Sequence, residues 1–280
     1  MFGYKCLFLQ IKNKMKIKSI YILLLSLLLV SCGEYTKLQK STDSNLKFEK
    51  AKEYYEKKKY MQAATLLESV LPVFKGTEKG EEALYLLGMS YLNNKDYLSA
   101  RSYFASYYRS YPKGKYAEES KFYVGYCYYK DSPNPKYDQT STTKALEELF
   151  LFVELFPQST RLPEVLTMAK EMQDKLAYKA YLNANLYYKL GNYKGNNYLS
   201  AVIAATNAIK EYPDSKYREE LAFIILKSKY QQAEKSVQEK MEDRYRDTVD
   251  EYYNFINDFP TSKYAKEAQQ IVEKSRKRLN

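Results

Sequence analysis

The chain of 280 residues has no histidine, no tryptophan and only three cysteines. Without imidazole there is no Ser-His-Asp or Cys-His arrangement and no histidine-built zinc site. No side chain has an ordinary pKa near neutrality. G-x-G-x-x-G, Walker A, H-E-x-x-H and C-x-x-C patterns are all missing, so hydrolase, nucleotide-dependent and metalloenzyme classes lack their residues. Alternating strand-type runs are missing as well. Proline and glycine are few, 8 and 9. What abounds is tyrosine, 32 residues, and basic side chains, 45 against 34 acids for a net charge of +11. The tyrosines suit either an aromatic binding surface or a codon bias toward Lys, Tyr, Asn and Ile, and composition leaves both open. At 45% hydrophobic and 28% charged the chain has the make-up of an ordinary folded protein.

Residues 1–19 carry Lys5, Lys12, Lys14, Lys16 and Lys18 and no acid, and an apolar run, Ile20 to Val30, precedes Ser31-Cys32-Gly33. A basic stretch, a short apolar core and a small residue before the cut describe a secretory signal peptide over 1–31, with Met15 an alternative start. The run is too short for a membrane-spanning helix, which needs about 20 apolar residues. Leu29-Val30-Ser31-Cys32 resembles the bacterial lipobox, which makes Cys32 the expected lipid attachment and the only covalent group implied. No other cofactor and no metal is expected. A flexible tether is expected over 32–45. Gly33 in place of Asp, with no acidic cluster after it, points to the outer membrane and its periplasmic face. Removing 1–31 takes five lysines and no acid, lowering +11 to +6. Much of the remaining excess lies in the last helix, so nucleic acid is not an expected partner. Cys127 reads as a buried small hydrophobe.

Four short stretches repeat: Tyr111-Pro112-Lys113-Gly114-Lys115-Tyr116, Phe156-Pro157-Gln158-Ser159, Tyr212-Pro213-Asp214-Ser215-Lys216-Tyr217 and Phe259-Pro260-Thr261-Ser262-Lys263-Tyr264. In each an aromatic closes a helix that proline prevents from continuing. Ser215 and Ser262 are candidate N-caps. Between them, Leu84, Leu87, Gly88 and Tyr91, then Ala100, Phe104, Tyr107 and Pro112, match the tetratricopeptide offsets. The third unit has an enlarged loop, Asp131–Thr143. An unbroken helical pattern runs from Pro163 to Leu190, ending at Gly191-Asn192. The expected fold is all-α: a right-handed superhelical solenoid of about five tetratricopeptide-like helix pairs, with units 1–3 in 46–160 and units 4–5 plus a closing helix in 161–280.

The pairs Glu81-Glu82, Glu118-Glu119, Glu147-Glu148 and Glu219-Glu220 read as helix-start acids that favour the macrodipole, not as acid/base catalysts. Asp131 and Asp138 do not have EF-hand spacing. No catalytic residue is assigned. A helical solenoid offers instead a groove lined by the first helix of each pair. In the repeat frame Phe48, Tyr55, Tyr85, Met89, Phe122 and Tyr126 face it as candidate peptide-binding residues, rimmed by Lys52, Glu56, Asn93 and Lys130.

A lipobox followed by five such units, with Tyr-Pro-Asp-Ser-type junctions, the enlarged loop and the very long helix, resembles the BamD family of lipoproteins of the outer-membrane β-barrel assembly machinery. The resemblance covers Cys32 to about Asn280. It implies a non-enzymatic scaffold whose N-terminal units receive segments of unfolded outer-membrane proteins. Its C-terminal units would dock a BamA-like barrel-assembly protein through that protein's periplasmic domains. A generic periplasmic scaffold for envelope machinery and a surface nutrient-binding lipoprotein are the alternatives.

Overall fold

The structure, a computed structural model, describes residues 34–280; the signal segment, Cys32 and Gly33 lie outside the described residues. Every regular element among the described residues is helical. A helical segment over 34–40 precedes α1 (Ser44–Glu56), α2 (Tyr60–Phe74), α3 (Glu78–Asn93), α4 (Tyr97–Ser110) and α5 (Ala117–Lys130). Beyond these come α6 (Thr140–Leu155), α7 (Leu162–Leu190), α8 (Asn197–Glu211), α9 (Arg218–Glu234), α10 (Gln238–Asp258) and α11 (Ala265–Lys277). The chain forms two compact units, dividing between Ala117 and Glu118. The repeat count placed its own division after residue 160.

In the first unit α1 packs on α2, α2 on α3 and α3 on α4, around Phe48, Leu66, Leu67, Val70 and Leu87. The close approach of α3 and α4 rests on Gly88. A Cβ there would stand 2.7 Å from the Phe104 ring, and both residues are fully buried. The start of this unit corrects the expected flexible tether. Residues 34–40 are helical, the Tyr35 hydroxyl donates to the Gln62 carbonyl at 3.2 Å, and its ring meets Tyr54 edge-on at 5.4 Å. Leu38 packs beside it on the core. Polar composition hid two apolar side chains, three residues apart, that share one helical face.

In the second unit α6 packs on α7, α7 on α8, α8 on α9, α9 on α10 and α10 on α11. Phe122, Leu149, Phe152 and Val165 join α5, α6 and α7 in one core. Between α5 and α6 the mostly buried Lys121 ammonium meets Glu148 at 2.6 Å. α9 is the central helix here: Leu221, Phe223, Ile224, Ile225 and Leu226 are all buried, because α7, α8, α10 and α11 all contact it. A helix apolar on all sides is stable only when so surrounded. α7 has 29 residues, about 44 Å of helix. It stops at Gly191, whose φ of +56° suits glycine, and a Cβ there would meet the Tyr198 hydroxyl at 2.8 Å.

The four repeated junctions adopt one geometry. Tyr111, Phe156, Tyr212 and Phe259 each take φ between −128° and −133° with ψ between 62° and 66°, and each donates its N–H to the carbonyl four residues back. The turn then closes twice on itself, as in Ser215 N–H to Tyr212 O and Arg218 N–H to Ser215 O, both 3.1 Å. Ser215 and Ser262 are not N-caps. The helices begin three residues later, after Tyr217 and Tyr264, which make no side-chain cap. The serine oxygens accept instead from the N–H two residues on, at 3.2 and 2.9 Å. That bond holds the serine within the turn, one step short of the helix.

Gly88→Ala should cost about 1–3 kcal/mol of stability through overpacking against Phe104. Chemical denaturation would show a lowered midpoint, and Gly88→Ala with Phe104→Leu should recover part of the loss.

Candidate functional site: tyrosine-walled clefts on the first helices

Three junctions reach back to the acids at the start of the preceding pair. The Ser159 hydroxyl donates to Glu118 at 2.5 Å and the Ser262 hydroxyl to Glu219 at 2.6 Å. Glu81 accepts from the Lys115 N–H at 2.7 Å and from the Tyr107 hydroxyl. The second acid of the pair meets a junction cation: Glu119 with Arg161 at 3.4 Å, Glu220 with Lys263 at 2.6 Å. The paired glutamates therefore clamp successive helix pairs together. Spacing of 41 to 43 residues was the signal in the sequence that could have revealed this.

The sixth residue of each junction lies over a ring of the preceding first helix. Tyr116 stacks on Tyr85 at 4.1 Å and 6°, and Tyr264 on Phe223 at 4.3 Å and 4°. Tyr217 lies 4.8 Å from Tyr178. Arg161 puts its guanidinium 4.3 Å above Phe122. Flat groups with complementary charge or offset rings attract in this way.

This arrangement decides which candidate groove residues are accessible. Phe122 is 2% exposed, closed by Arg161, and is not a groove contact. Phe48 is 1% exposed, with the Lys52 ammonium 4.7 Å over its ring and Phe74 edge-on at 5.9 Å, and is core as well. Both occupy the repeat position that the next element covers, so groove-facing by frame does not mean open. Tyr55, Tyr85, Met89 and Tyr126 are half-buried. Tyr55 and Asn93 are brought together: the Asn93 amide donates to the Tyr55 hydroxyl at 2.9 Å. In the second unit, Tyr126 and Tyr129 stand 6.3 Å apart on α5, with the Lys130 ammonium over both rings.

The second unit holds a cleft of about 480 Å³ walled by Tyr129, Tyr178 and Tyr217 and edged by Lys130, Glu171 and Lys216. Tyr129 donates to Glu171 at 2.6 Å. That hydrogen bond, with burial, pushes the Tyr129 hydroxyl up to about 12. Lys175 points its ammonium at Ser132, 2.6 Å from Oγ, which ties the 131–139 loop to α7; burial lowers its pKa. Asp174 stands in this cleft at the repeat position that Glu81, Glu118 and Glu219 fill elsewhere. Aspartate is one methylene shorter, and its buried Oδ1 has no hydrogen-bond partner, with Lys170 3.6 Å away. That oxygen is closed to solvent and has Lys170 as its ion-pair partner. Sequence reading missed Asp174, Tyr178 and Tyr217, because α7 merges two repeat elements and hides the frame. A second cleft, about 510 Å³ and mostly apolar, lies in the first unit between Leu71, Gly80, Leu84 and Tyr111.

No group of three or more Cys, Asp or Glu suited to a metal occurs among the described residues. Asp138 spends its carboxylate on the Thr140 N–H at 2.9 Å, and bonding to Thr140 holds its pKa below the usual range. Cys127 is fully buried on α5. The second-unit cleft offers tyrosine ring faces and lysine donors along its edge.

The architecture and clefts define a helix-pair scaffold of tetratricopeptide type. The chain matches the family model YfiO, described as outer membrane lipoprotein, over residues 40–193 and 190–280. It belongs to that family of outer membrane lipoproteins. A protein of Aquifex aeolicus (strain VF5), assigned as outer membrane protein assembly factor BamD, is 29% identical over 209 residues, 74% of this chain and 67% of that protein. Among solved structures the apo form of RapI aligns at TM-score 0.34 and 15% identity, covering 93% of this chain and 96% of its own. A Podosopora anserina chain assigned as a kinesin light chain with nearly identical TPR-like repeats aligns at TM-score 0.32 and 15% identity, covering 83% and 94%. No helix among the described residues is long and apolar enough to cross a membrane.

Glu171→Gln should bring the Tyr129 hydroxyl down from about 12 toward the ordinary value near 10. An alkaline titration of tyrosinate absorbance would show one group ionising earlier than in the parent, a difference that Tyr129→Phe abolishes.

Proposed function

We propose that this chain is a non-enzymatic scaffold of outer-membrane β-barrel assembly, held at the periplasmic face of the outer membrane by lipid on Cys32. The observation that carries the reading is the family match across nearly all of 40–280, joined by a relative assigned to outer membrane protein assembly. Its first-unit side chains Tyr55, Tyr85 and Met89, and in the second unit Tyr126 with the Tyr129–Tyr178–Tyr217 cleft, receive segments of unfolded outer-membrane proteins. Such segments alternate apolar with polar side chains and carry aromatics near their ends. In extended form they set every second side chain on one face, about 6.6–6.8 Å apart. Rings take the alternate side chains, while Lys130 and Lys216 at the cleft edge donate to the strand's backbone carbonyls.

Docking of a BamA-like barrel-assembly protein falls to the C-terminal helices. α11 carries exposed Lys266, Lys274 and Lys277 on its outer face, a surface suited to an acidic periplasmic domain. Anchoring on Cys32 would place the scaffold within reach of the insertion site. The docked 34–40 helix begins two residues after Cys32 in the sequence.

Tyr178→Ala with Tyr217→Ala, and separately Tyr55→Ala with Tyr85→Ala, should weaken binding of a labelled aromatic–apolar strand peptide about tenfold or more, with helicity unchanged. Fluorescence anisotropy reads the affinity, and parent-like binding by both pairs removes the cleft assignment. Lys266→Glu, Lys274→Glu and Lys277→Glu together should reduce co-purification of the barrel protein while peptide binding persists.

A further inference from the structure

The hairpin formed by the end of α7 and the start of α8 has a surface that neither the clefts nor the core uses. Leu186, Tyr187, Leu190, Tyr193, Leu199 and Ile203 are all exposed, and Tyr193, Leu186 and Ile203 are 62%, 56% and 53% exposed. Single exposed leucines are ordinary. Six large apolar or aromatic side chains in 18 residues around one loop are a patch, and patches mark contact surfaces.

Charge says what kind of surface would cover it. Between Asp174 and Glu211 there is no acid at all, although 34 acids in 280 residues would place about four there. The same stretch carries Lys175, Lys179, Lys189, Lys194 and Lys210. Lys175 and Lys179 are spent on the 131–139 loop, while Lys189, Lys194 and Lys210 are exposed. The uncharged polar groups are mainly asparagines, at 183, 185, 192, 196, 197 and 207.

The tip projects. Lys194 has φ +51° and Gly195 φ +146°, and nothing lies within 4 Å of where a Gly195 Cβ would be. The Lys194 ammonium sits 5.4 Å over the Tyr193 ring. A tyrosine–lysine tip flanked by leucines, in a stretch of chain without acids, is the chemistry of a lipid–water interface. The ring and aliphatic stems enter the headgroup layer and the ammonium stays with phosphate.

We propose that this hairpin end, residues 186–203, is a membrane-contact surface for anionic lipid. The chain belongs to a lipoprotein family of the outer membrane, so a bilayer is the surface always at hand. An attraction spread over lysines without paired acceptors suits a sheet of lipid phosphates better than a shaped protein site. A second contact, separate from the lipid on Cys32, would restrict how the scaffold swings about its anchor. The inference does not depend on what the clefts bind.

The absence of tryptophan allows a clean test. Tyr193→Trp gives the full-length, lipidated protein a sole indole. It is reconstituted on vesicles of phosphatidylethanolamine with phosphatidylglycerol, or of phosphatidylcholine alone, with and without brominated acyl chains. The expected result is blue-shifted emission quenched by bromine on the anionic vesicles. Leu186→Asn with Ile203→Asn should abolish that quenching. Tyr137→Trp, 69% exposed on another loop, should stay water-like throughout. Flotation with neutral vesicles reads the lipid anchor separately. Water-like, unquenched emission from Trp at 193 on anionic vesicles overturns the proposal. So does a blue shift without bromine quenching, which would mean that protein covers the patch.

Discussion

Four times along the chain an aromatic residue stops a helix one position before a proline, and the backbone takes the same pair of angles. Proline offers no N–H to the helix and clashes with its continuation, so the turn is dictated by covalent geometry. The packing of the helix pairs hangs from it. The turn delivers a hydroxyl or an N–H to the glutamate that opens the preceding pair, and a flat side chain to the ring four residues after that glutamate. One turn therefore terminates a helix, clamps two pairs and covers a ring. Repetition of the turn makes each first helix present the same face.

The abundance of tyrosine acquires a physical meaning in this setting. Many tyrosines, buried or half-buried, do two things at once: their rings pack and their hydroxyls donate to carboxylates. Tyr91 and Tyr103 stack at 5.4 Å and both donate to Glu68. Tyr107 serves Glu81, Tyr129 serves Glu171 and Tyr245 serves Glu234. Burial and the neighbouring carboxylate keep these hydroxyls protonated far above the usual tyrosine range, to about 12 for Tyr103. Where a tyrosine row meets an acid too short to reach its junction, at Asp174, the structural system leaves an open cleft.

The helix pairs, the long α7, its glycine stop and the small residues between α3 and α4 were legible in the sequence, because proline, glycine and helical spacing act locally. The site was legible only in part. Phe48 and Phe122 fell in the groove frame, yet Phe74 of α2 and Arg161 of the turn before α7 close over them, contacts out of reach of local periodicity. Ser215 and Ser262 had the right chemistry for caps and the wrong register by one turn. Three of the glutamate pairs stand at helix starts as expected, but Glu147-Glu148 falls in the middle of α6, where Glu148 meets Lys121, and the junction partners of Glu118 and Glu219 stand more than forty residues away. The 34–40 helix was hidden because two apolar residues in a polar stretch signal nothing until a core receives them.

In the proposed function, these turns and tyrosine clefts serve a lipid-anchored member of the barrel-assembly machinery. The most direct measurement is purification of the native lipoprotein from membranes in mild detergent, with mass spectrometry of its companions. The account predicts a near-stoichiometric outer-membrane β-barrel protein bearing periplasmic domains. Recovery of the lipoprotein with envelope-synthesis or transport proteins, and no such barrel, would contradict it.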